Sequence, residues 1–254
     1  MAQVVLEAKN LGISFGGLRA VHGFNLELRE GELVGLIGPN GAGKTTVFNL
    51  FTGVYRPTEG AAYLKGTKLN RKKTHQIVAS GIARTFQNIR LFKNMTVLEN
   101  VQTSFTKDIK YGFLGSILRT GSYFEEEEAV REKSRELLEL FDLEDKADYI
   151  AANLPYGQQR KLEIARALAT NMKVLLLDEP AAGMNPTETA ELLACINMIR
   201  QRFSIAILLI EHDMSLIMNI SERIIVLDYG ETIAEGSPDD ISRNPKVIAA
   251  YLGE

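Results

Sequence analysis

Leu33-Val34-Gly35-Leu36-Ile37-Gly38-Pro39-Asn40-Gly41-Ala42-Gly43-Lys44-Thr45-Thr46 decides the reading of this chain. A short apolar run ends at a glycine-rich turn, and a helix-compatible segment follows. The turn fits G-x-x-x-x-G-K-S/T, the pattern of a phosphate-cradling loop. Its glycines let the backbone curl and turn its N–H groups inward on a polyphosphate. Lys44 then reaches the β- and γ-phosphates, and the Thr45 hydroxyl sits on Mg²⁺. The helix that follows aims its positive end at the same anion. Pattern and context together imply that the chain binds a nucleoside triphosphate.

Outward from that stretch, the bulk composition bounds the answer. The 254 residues suffice for one large domain or a domain with a subdomain. Hydrophobic residues make up 45% and charged residues 24%, which fits a globular protein with a full core. A net charge of −3 argues against a broad basic footprint for nucleic acid. Cys195 is the single cysteine and lies in an apolar, helical-looking stretch, so it reads as a buried thiol. Met1-Ala2-Gln3-Val4 lacks the basic and apolar regions of a signal peptide, and no apolar run approaches the roughly 20 residues that span a bilayer. The expectation is a cytosolic protein that reaches a membrane only through a partner.

Before the loop, Val4-Val5-Leu6-Glu7-Ala8 and Phe24-Asn25-Leu26-Glu27-Leu28 read as strands separated by glycine turns, which implies antiparallel sheet beside the nucleotide core. Phe15 is placed either to stack on a base or to fill a core or edge position. After the loop, Val47 to Phe51 continue a helix, with Gly53 as its stop. Ala61-Ala62-Tyr63-Leu64 gives another strand, and Arg71-Lys72-Lys73 a solvated helix start. Gly81 to Gln87 reads as a strand that delivers Gln87 to its end. Thr96-Val97-Leu98-Glu99 has capping-box spacing. Residues from Ser104 to Tyr123 read as a loop or short helices. Glu125 to Glu128 are expected to open a helix, where acids suit the dipole.

Val174-Leu175-Leu176-Leu177-Asp178-Glu179 is a wholly apolar strand ending in two acids. A strand this apolar is buried on both faces, as in a parallel sheet, and open α/β sheets place their chemistry at such carboxyl ends. Asn185-Pro186 starts a helix with proline at its first position. Ile205 to Ile210 repeat the buried strand and end in Glu211-His212-Asp213. Ile224 to Leu227 and Glu231 to Ala234 pair around a turn, and Ser237-Pro238 starts a final helix. In one parallel sheet the phosphate loop, Gln87, Asp178-Glu179 and His212 converge. Asp178 can complete the shell of the Mg²⁺ held by Thr45. Glu179, one residue on, can polarise an attacking water, and His212 can hold the γ-phosphate or that water.

This set of motifs resembles the ATP-binding subunit of an ABC transporter over essentially the whole chain. Gly38 to Thr45 match the Walker A loop, Val174 to Asp178 the Walker B strand, Glu179 the catalytic glutamate, Gln87 the Q-loop and His212 the switch histidine. Phe15, with Val21 nearby, matches the aromatic that stacks on adenine. The resemblance also implies Thr45, Gln87 and Asp178 around Mg²⁺. It implies that Gly38, Pro39, Asn40, Gly41, Ala42, Gly43, Lys44, Thr45 and Thr46 surround the phosphates. The signature L-S-G-G-Q reads Leu154-Pro155-Tyr156-Gly157-Gln158 here, retaining Gly157 and Gln158 for the ATP of a partner subunit. Pro155 brings neither the hydroxyl nor the N–H of the serine it replaces, and Asn185 stands where the family has the D-loop aspartate.

Phe86-Gln87-Asn88-Ile89-Arg90-Leu91-Phe92, the Leu-Pro-Tyr-Gly-Gln variant, Glu179-Pro180-Ala181-Ala182-Gly183-Met184-Asn185 and the ending Ala250-Tyr251-Leu252-Gly253-Glu254 are together similar to the LivG-type ATPases of branched-chain amino-acid importers. The fold so implied is α/β: a P-loop NTPase (ABC ATPase) core with an antiparallel β subdomain and an inserted α-helical subdomain. It forms a single domain over 1–254, with 1–87 and 161–254 as core and 88–160 as helical subdomain. The implied function is an ATP-binding and ATP-hydrolysing subunit that energises an importer, with ATP and Mg²⁺ as cofactors. The implied partners are a second ATPase subunit, two membrane permeases and, indirectly, a solute-binding protein, at the cytoplasmic face of the membrane. The apolar groove by Leu91, Phe92 and Met95 either receives a permease helix or is core. A lipopolysaccharide-export-type ATPase shares these motifs. A soluble ABC ATPase of DNA repair or translation usually carries a coiled-coil insertion or a second cassette, and neither is seen here.

Overall fold

The apolar run Leu33–Ile37 forms strand β3, and each of its five residues is buried. The computed structural model describes residues 2–108 and 121–252. On either side of β3, in parallel, lie β8 (Ala206–Ile210) and β9 (Arg223–Asp228). Beyond β8 come β7 (Val174–Asp178) and β6 (Ile82–Arg84), both parallel, and β10 (Glu231–Gly236) closes the other edge antiparallel to β9. The order is therefore β10-β9-β3-β8-β7-β6. β7 and β8 are buried along their whole length, as a parallel sheet requires of near-continuous apolar strands.

A second sheet, wholly antiparallel, has the order β2-β1-β4-β5, from β1 (Val4–Phe15), β2 (Leu18–Arg29), β4 (Glu59–Leu64) and β5 (Thr67–Lys68). β1 and β2 run well past the short strands expected from their alternation. Register shifts on both sides of Leu11 absorb the breaks in pattern, as bulges do when they admit an extra residue without ending the ladder. The helix after the glycine-rich turn is α1 (Lys44–Phe51). Its Phe48 and Phe51 join Leu6, Phe24, Leu28 and Leu36 in one buried apolar cluster that draws on both sheets.

The described residues fall into two compact units: 1–87, 172–183 and 193–254 in the first, and 88–171 with 184–192 in the second. Besides the sheets and α1, the first unit contains α2 (Thr74–Ser80), to which Arg71-Lys72-Lys73 lead as expected. The second unit contains α3 (Val97–Gln102), α4 (Gly121–Leu140), α5 (Tyr156–Ala169) and the first turns of α6 (Pro186–Phe203). Within it, the buried Asn100 stitches a turn together: its carbonyl accepts from Phe92 N–H, and its amide donates to the carbonyls of Phe92 and Thr96. Arg160 is fully buried, and its guanidinium pairs with Glu163 at 2.6 Å. Phe92 is 49% exposed, beneath the Arg166 guanidinium, and Met95 is also exposed. They are surface and not core.

Three local readings are corrected. The strand expected over Gly81 to Gln87 stops at Arg84, whose side chain turns into the interior, so Gln87 reaches the site from a loop. The helix bearing Glu125 to Glu128 is already under way at Gly121, which puts these acids beyond the first turn, where the terminal partial charge has largely faded. The final helix is two helices, α8 (Pro238–Ser242) and α9 (Pro245–Leu252). Pro245 disfavours helical geometry in the residue before it, so the first helix cannot run through. Of the loop or short helices expected between Ser104 and Tyr123, the start lies in a 3₁₀ turn (Thr103–Asp108) and the end in α4. Residues 109–120 lie outside the described residues, as do Gly253 and Glu254.

At Thr96 the capping box forms as its spacing implies: Thr96 Oγ1 accepts from Glu99 N–H, and Glu99 Oε2 accepts from Thr96 N–H. Thr96→Ala is expected to lower the unfolding free energy by about 1 kcal/mol. Urea denaturation should show an earlier midpoint with an unchanged slope. An unmoved midpoint would mean that the cap contributes nothing.

Candidate functional site

The phosphate loop is bent by its glycines and pinned from behind. Gly43, the residue before α1, has φ +104°, and a Cβ there would lie 2.7 Å from the Ala20 carbonyl oxygen. Gly38 has φ +147°, and a Cβ would fall 2.0 Å from the Leu227 carbonyl oxygen. Only glycine allows the loop to sit this close to β2 and β9. The turn between β9 and β10 latches it further: Gly230 N–H donates to the Ala42 carbonyl, and the Gly230 carbonyl accepts from His22 N–H. At the head of the loop, Gly38 N–H donates to the Tyr251 hydroxyl of α9 at 2.9 Å.

Lys44 is buried, and its ammonium donates to the loop's own carbonyls, Gly38 at 2.7 Å and Pro39 at 2.9 Å. Burial pulls its pKa down, opposed by the nearby charges of Glu179 and Asp178. Asn40 to Thr46 line a cavity of about 470 Å³ with Leu18, Arg19, Ala20, Glu179, His212 and Tyr229. Val21 is buried beneath Gly43. Phe15 is 44% exposed at the end of β1, edge-on against Tyr55.

The carboxyl ends of β7 and β8 carry the remaining polar groups. Glu179 has φ +47°, and its N–H donates to the Ile210 carbonyl. Both of its carboxylate oxygens are engaged: Oε2 accepts from Gln87 Nε2, and Oε1 meets His212 Nε2, each at 2.7 Å. With Oε1 accepting, that imidazole nitrogen carries the proton. Gln87, Glu179 and His212 are thus gathered around one carboxylate. Asp178 points elsewhere, as expected for neighbouring positions at a strand end. Its Oδ2 accepts from Arg84 Nη2 at 2.7 Å, in a pair only 6% and 7% exposed. Glu211 is also buried and accepts from the N–H groups of Ala181 and His212, and burial raises its pKa. Asp213 caps α7 (Met214–Ile220) by accepting from Ser215 and Leu216 N–H.

Gly157 and Gln158 belong to the second unit, in the first turn of α5 behind Pro155. Gly157 lies against the Glu188 carboxylate, 3.3 Å from the position a Cβ would take. Glu188 and Asn185 bond reciprocally, side chain to backbone N–H, at the start of α6. The Gln158 side-chain carbonyl oxygen is buried without a partner among the described residues.

Several of these contacts were missed in the sequence. Arg84 reads there as an unremarked strand residue, although a basic side chain ending a buried strand is a signal of a buried partner. Leu18 and Arg19 flank the cavity from the start of β2 and Tyr229 from the turn between β9 and β10, and their only mark is proximity to glycines. Tyr251 carries no local signal at all.

A family model described as ABC transporter matches residues 21–182, and one described as Branched-chain amino acid ATP-binding cassette transporter matches residues 231–254. The chain is 47% identical over 254 residues to the high-affinity branched-chain amino acid transport ATP-binding protein LivG of Escherichia coli K12. It is 46% identical over 254 residues to BraF, described in the same words, of Pseudomonas aeruginosa. Each match covers all of both chains. Among solved structures it is similar to the ADP conformation of MJ1267, an ATP-binding cassette of an ABC transporter, with a TM-score of 0.85 and 32% identity. That match covers 99% of this chain and 100% of the other.

Gly43→Ala combines a left-handed φ with the close approach to Ala20. The variant is expected to lose about 1–3 kcal/mol of stability, the range for an enforced sparse conformation. Urea unfolding measures it, and a parental midpoint would show that the loop relaxes freely at this position.

Proposed function

Because the chain belongs to the ABC transporter ATP-binding proteins, of the LivG/BraF branched-chain amino-acid type, we propose that it hydrolyses ATP through the Gln87–Glu179–His212 constellation to drive uptake of leucine, isoleucine and valine. The observation that carries the catalytic reading is Glu179, held on both oxygens by Gln87 and His212 beside the cavity under the phosphate loop. In this reading the loop N–H groups and Lys44 hold the phosphates, and the Lys44 ammonium exchanges its carbonyl partners for β- and γ-oxygens. Glu179 orients a water and takes its proton. His212 Nε2–H moves from Glu179 to the γ-phosphate as negative charge builds there, and Gln87 keeps the second oxygen of Glu179 in place.

The Thr45 hydroxyl and the Asp178 carboxylate are hard oxygen donors that suit Mg²⁺. Among the described residues no group of three or more His, Cys, Asp or Glu could hold a metal alone, so the nucleotide and water would complete the shell. When bound, Mg²⁺ would offset charge on the β- and γ-oxygens. The chain carries one phosphate loop and one signature turn, which supports a working pair in which Gly157 and Gln158 serve the partner's ATP. No helix among the described residues is long and apolar enough to cross a membrane. Membrane attachment then falls to permease subunits, and the exposed Phe92 and Met95 suit such a contact.

Glu179→Gln is expected to keep ATP binding and slow hydrolysis at least 10²-fold, a loss of about 2.7 kcal/mol or more in transition-state stabilisation. Single-turnover hydrolysis and nucleotide binding on the same preparation measure it. Near-parental turnover would remove Glu179 from the role of base. The transport reading is tested by isolating the tagged chain from its own membranes in mild detergent. Two permeases and a second ATPase should accompany it, with ATPase activity raised by a binding protein loaded with leucine, isoleucine or valine. Co-isolation with lipid-export proteins would move it to export.

A further inference from the structure

Arg84 is a buried cation that the proposed mechanism leaves unused. It ends β6, opposite Leu176 of β7, and its side chain is 6% exposed. The two terminal nitrogens of its planar fork reach two different elements. Nη2 donates to Asp178 Oδ2 at the end of β7, and Nη1 donates to Asn49 Oδ1 on α1, both at 2.7 Å. The guanidinium lies over the rings of Phe48 and Phe86, at 5.4 Å and 5.0 Å from their centroids, while its Nε is buried without a partner among the described residues. This rotamer is therefore fixed by packing on its faces and by hydrogen bonds at its tips.

Asn49 follows Thr45 by four residues on α1, so the two share one face of the helix, one turn apart. A rigid fork that bonds Asn49 and Asp178 together sets the separation between the helix that carries the Thr45 hydroxyl and the strand end that carries the Asp178 carboxylate. It also commits Oδ2 of that carboxylate and leaves Oδ1 for other partners. Lysine could supply the charge but not the two-point geometry. We propose that Arg84 is a positioning residue of the divalent-cation site: it fixes the Asp178 carboxylate and its spacing from Thr45, and so sets the affinity of the nucleotide-bound site for Mg²⁺. The inference rests on the reading of Thr45 and Asp178 as the cation's protein ligands.

The test uses the full chain with ADP, and Mn²⁺ as a paramagnetic probe titrated by electron paramagnetic resonance. Arg84→Lys should weaken Mn²⁺ binding about tenfold, the low end for loss of a group that orients a metal ligand. ADP binding in EDTA should stay within about twofold of the parent, which a general loss of structure would not allow. Asn49→Ala keeps the Arg84–Asp178 pair and removes only the second anchor, so it should shift Mn²⁺ binding in the same direction by a smaller factor. Unchanged Mn²⁺ affinity in a folded Arg84→Lys chain, or equal losses with and without metal, overturns the proposal. If Arg84→Lys does not fold, unchanged Mn²⁺ binding in Asn49→Ala overturns it instead. Asp178→Asn separates the two levels. If it too leaves Mn²⁺ binding intact, the cation reading fails and takes the Arg84 role with it. If it abolishes binding while the other two variants do nothing, only the Arg84 role fails.

Discussion

Three parallel strands buried along their whole length, β3, β7 and β8, leave polar side chains no place except at their ends. The apolar faces that make each strand stable in the middle of the sheet exclude charge from it. Side by side and parallel, the strands then present their carboxyl-end residues at one edge: the phosphate loop after β3, Asp178 and Glu179 with β7, Glu211 and His212 after β8. The hydrogen bonds that gather Gln87 and His212 on Glu179 depend on that arrangement. A reversed or displaced strand would separate Glu179 from His212 and leave a carboxylate and an imidazole unpaired near a dry interior.

Charge within this edge is handled by pairing, and the pairs differ in kind. Arg84 and Asp178 are almost fully withdrawn from water and bonded to each other. Removing either partner would leave the other as an uncompensated buried ion, the costly case for such pairs. Glu179 and His212 are more accessible, with His212 nearly half exposed, so their contact is cheaper to break and remake. A group that must reorient during a reaction belongs in the second class, and a group that holds geometry belongs in the first. Glu211 belongs with neither. It is buried and accepts from two backbone N–H groups, which tie the turn after β7 to the residue that carries the imidazole.

Local chemistry was legible in the sequence where it is local in the structure. The glycine-rich turn, the capping box at Thr96 and the Asn185-Pro186 helix start all draw on residues within a few positions of one another, and each forms as its spacing implies. The apolar runs at 174 and 205 were legible because burial on both faces leaves no alternation to misread. The meeting of Gln87, Glu179 and His212 was legible because parallel strands end at one edge, but other contacts that span the chain were not. Nothing near Arg84 announces Asp178, 94 residues later, and nothing near Tyr251 announces Gly38. Four acids resemble a first turn, but Ser122, Tyr123 and Phe124 before them are already helical, so Glu125 to Glu128 do not open α4.

The position of β3 within its sheet has a consequence for how the chain is made. β3 is flanked by β8 and β9, which lie about 170 and 190 residues further along. Growing chains emerge from the amino terminus first and fold as their partners appear. The phosphate loop and α1 are therefore synthesised early, yet β3 has no strand beside it until most of the polypeptide has emerged. The Tyr251 hydroxyl that receives the loop's first N–H arrives later still. The antiparallel sheet, whose strands all precede residue 69, can assemble in the meantime. The glycine-rich loop is among the first parts of the molecule to be made and among the last to be completed. Until then its apolar strand, with both edges unpaired, is a part of the nascent chain in need of shelter.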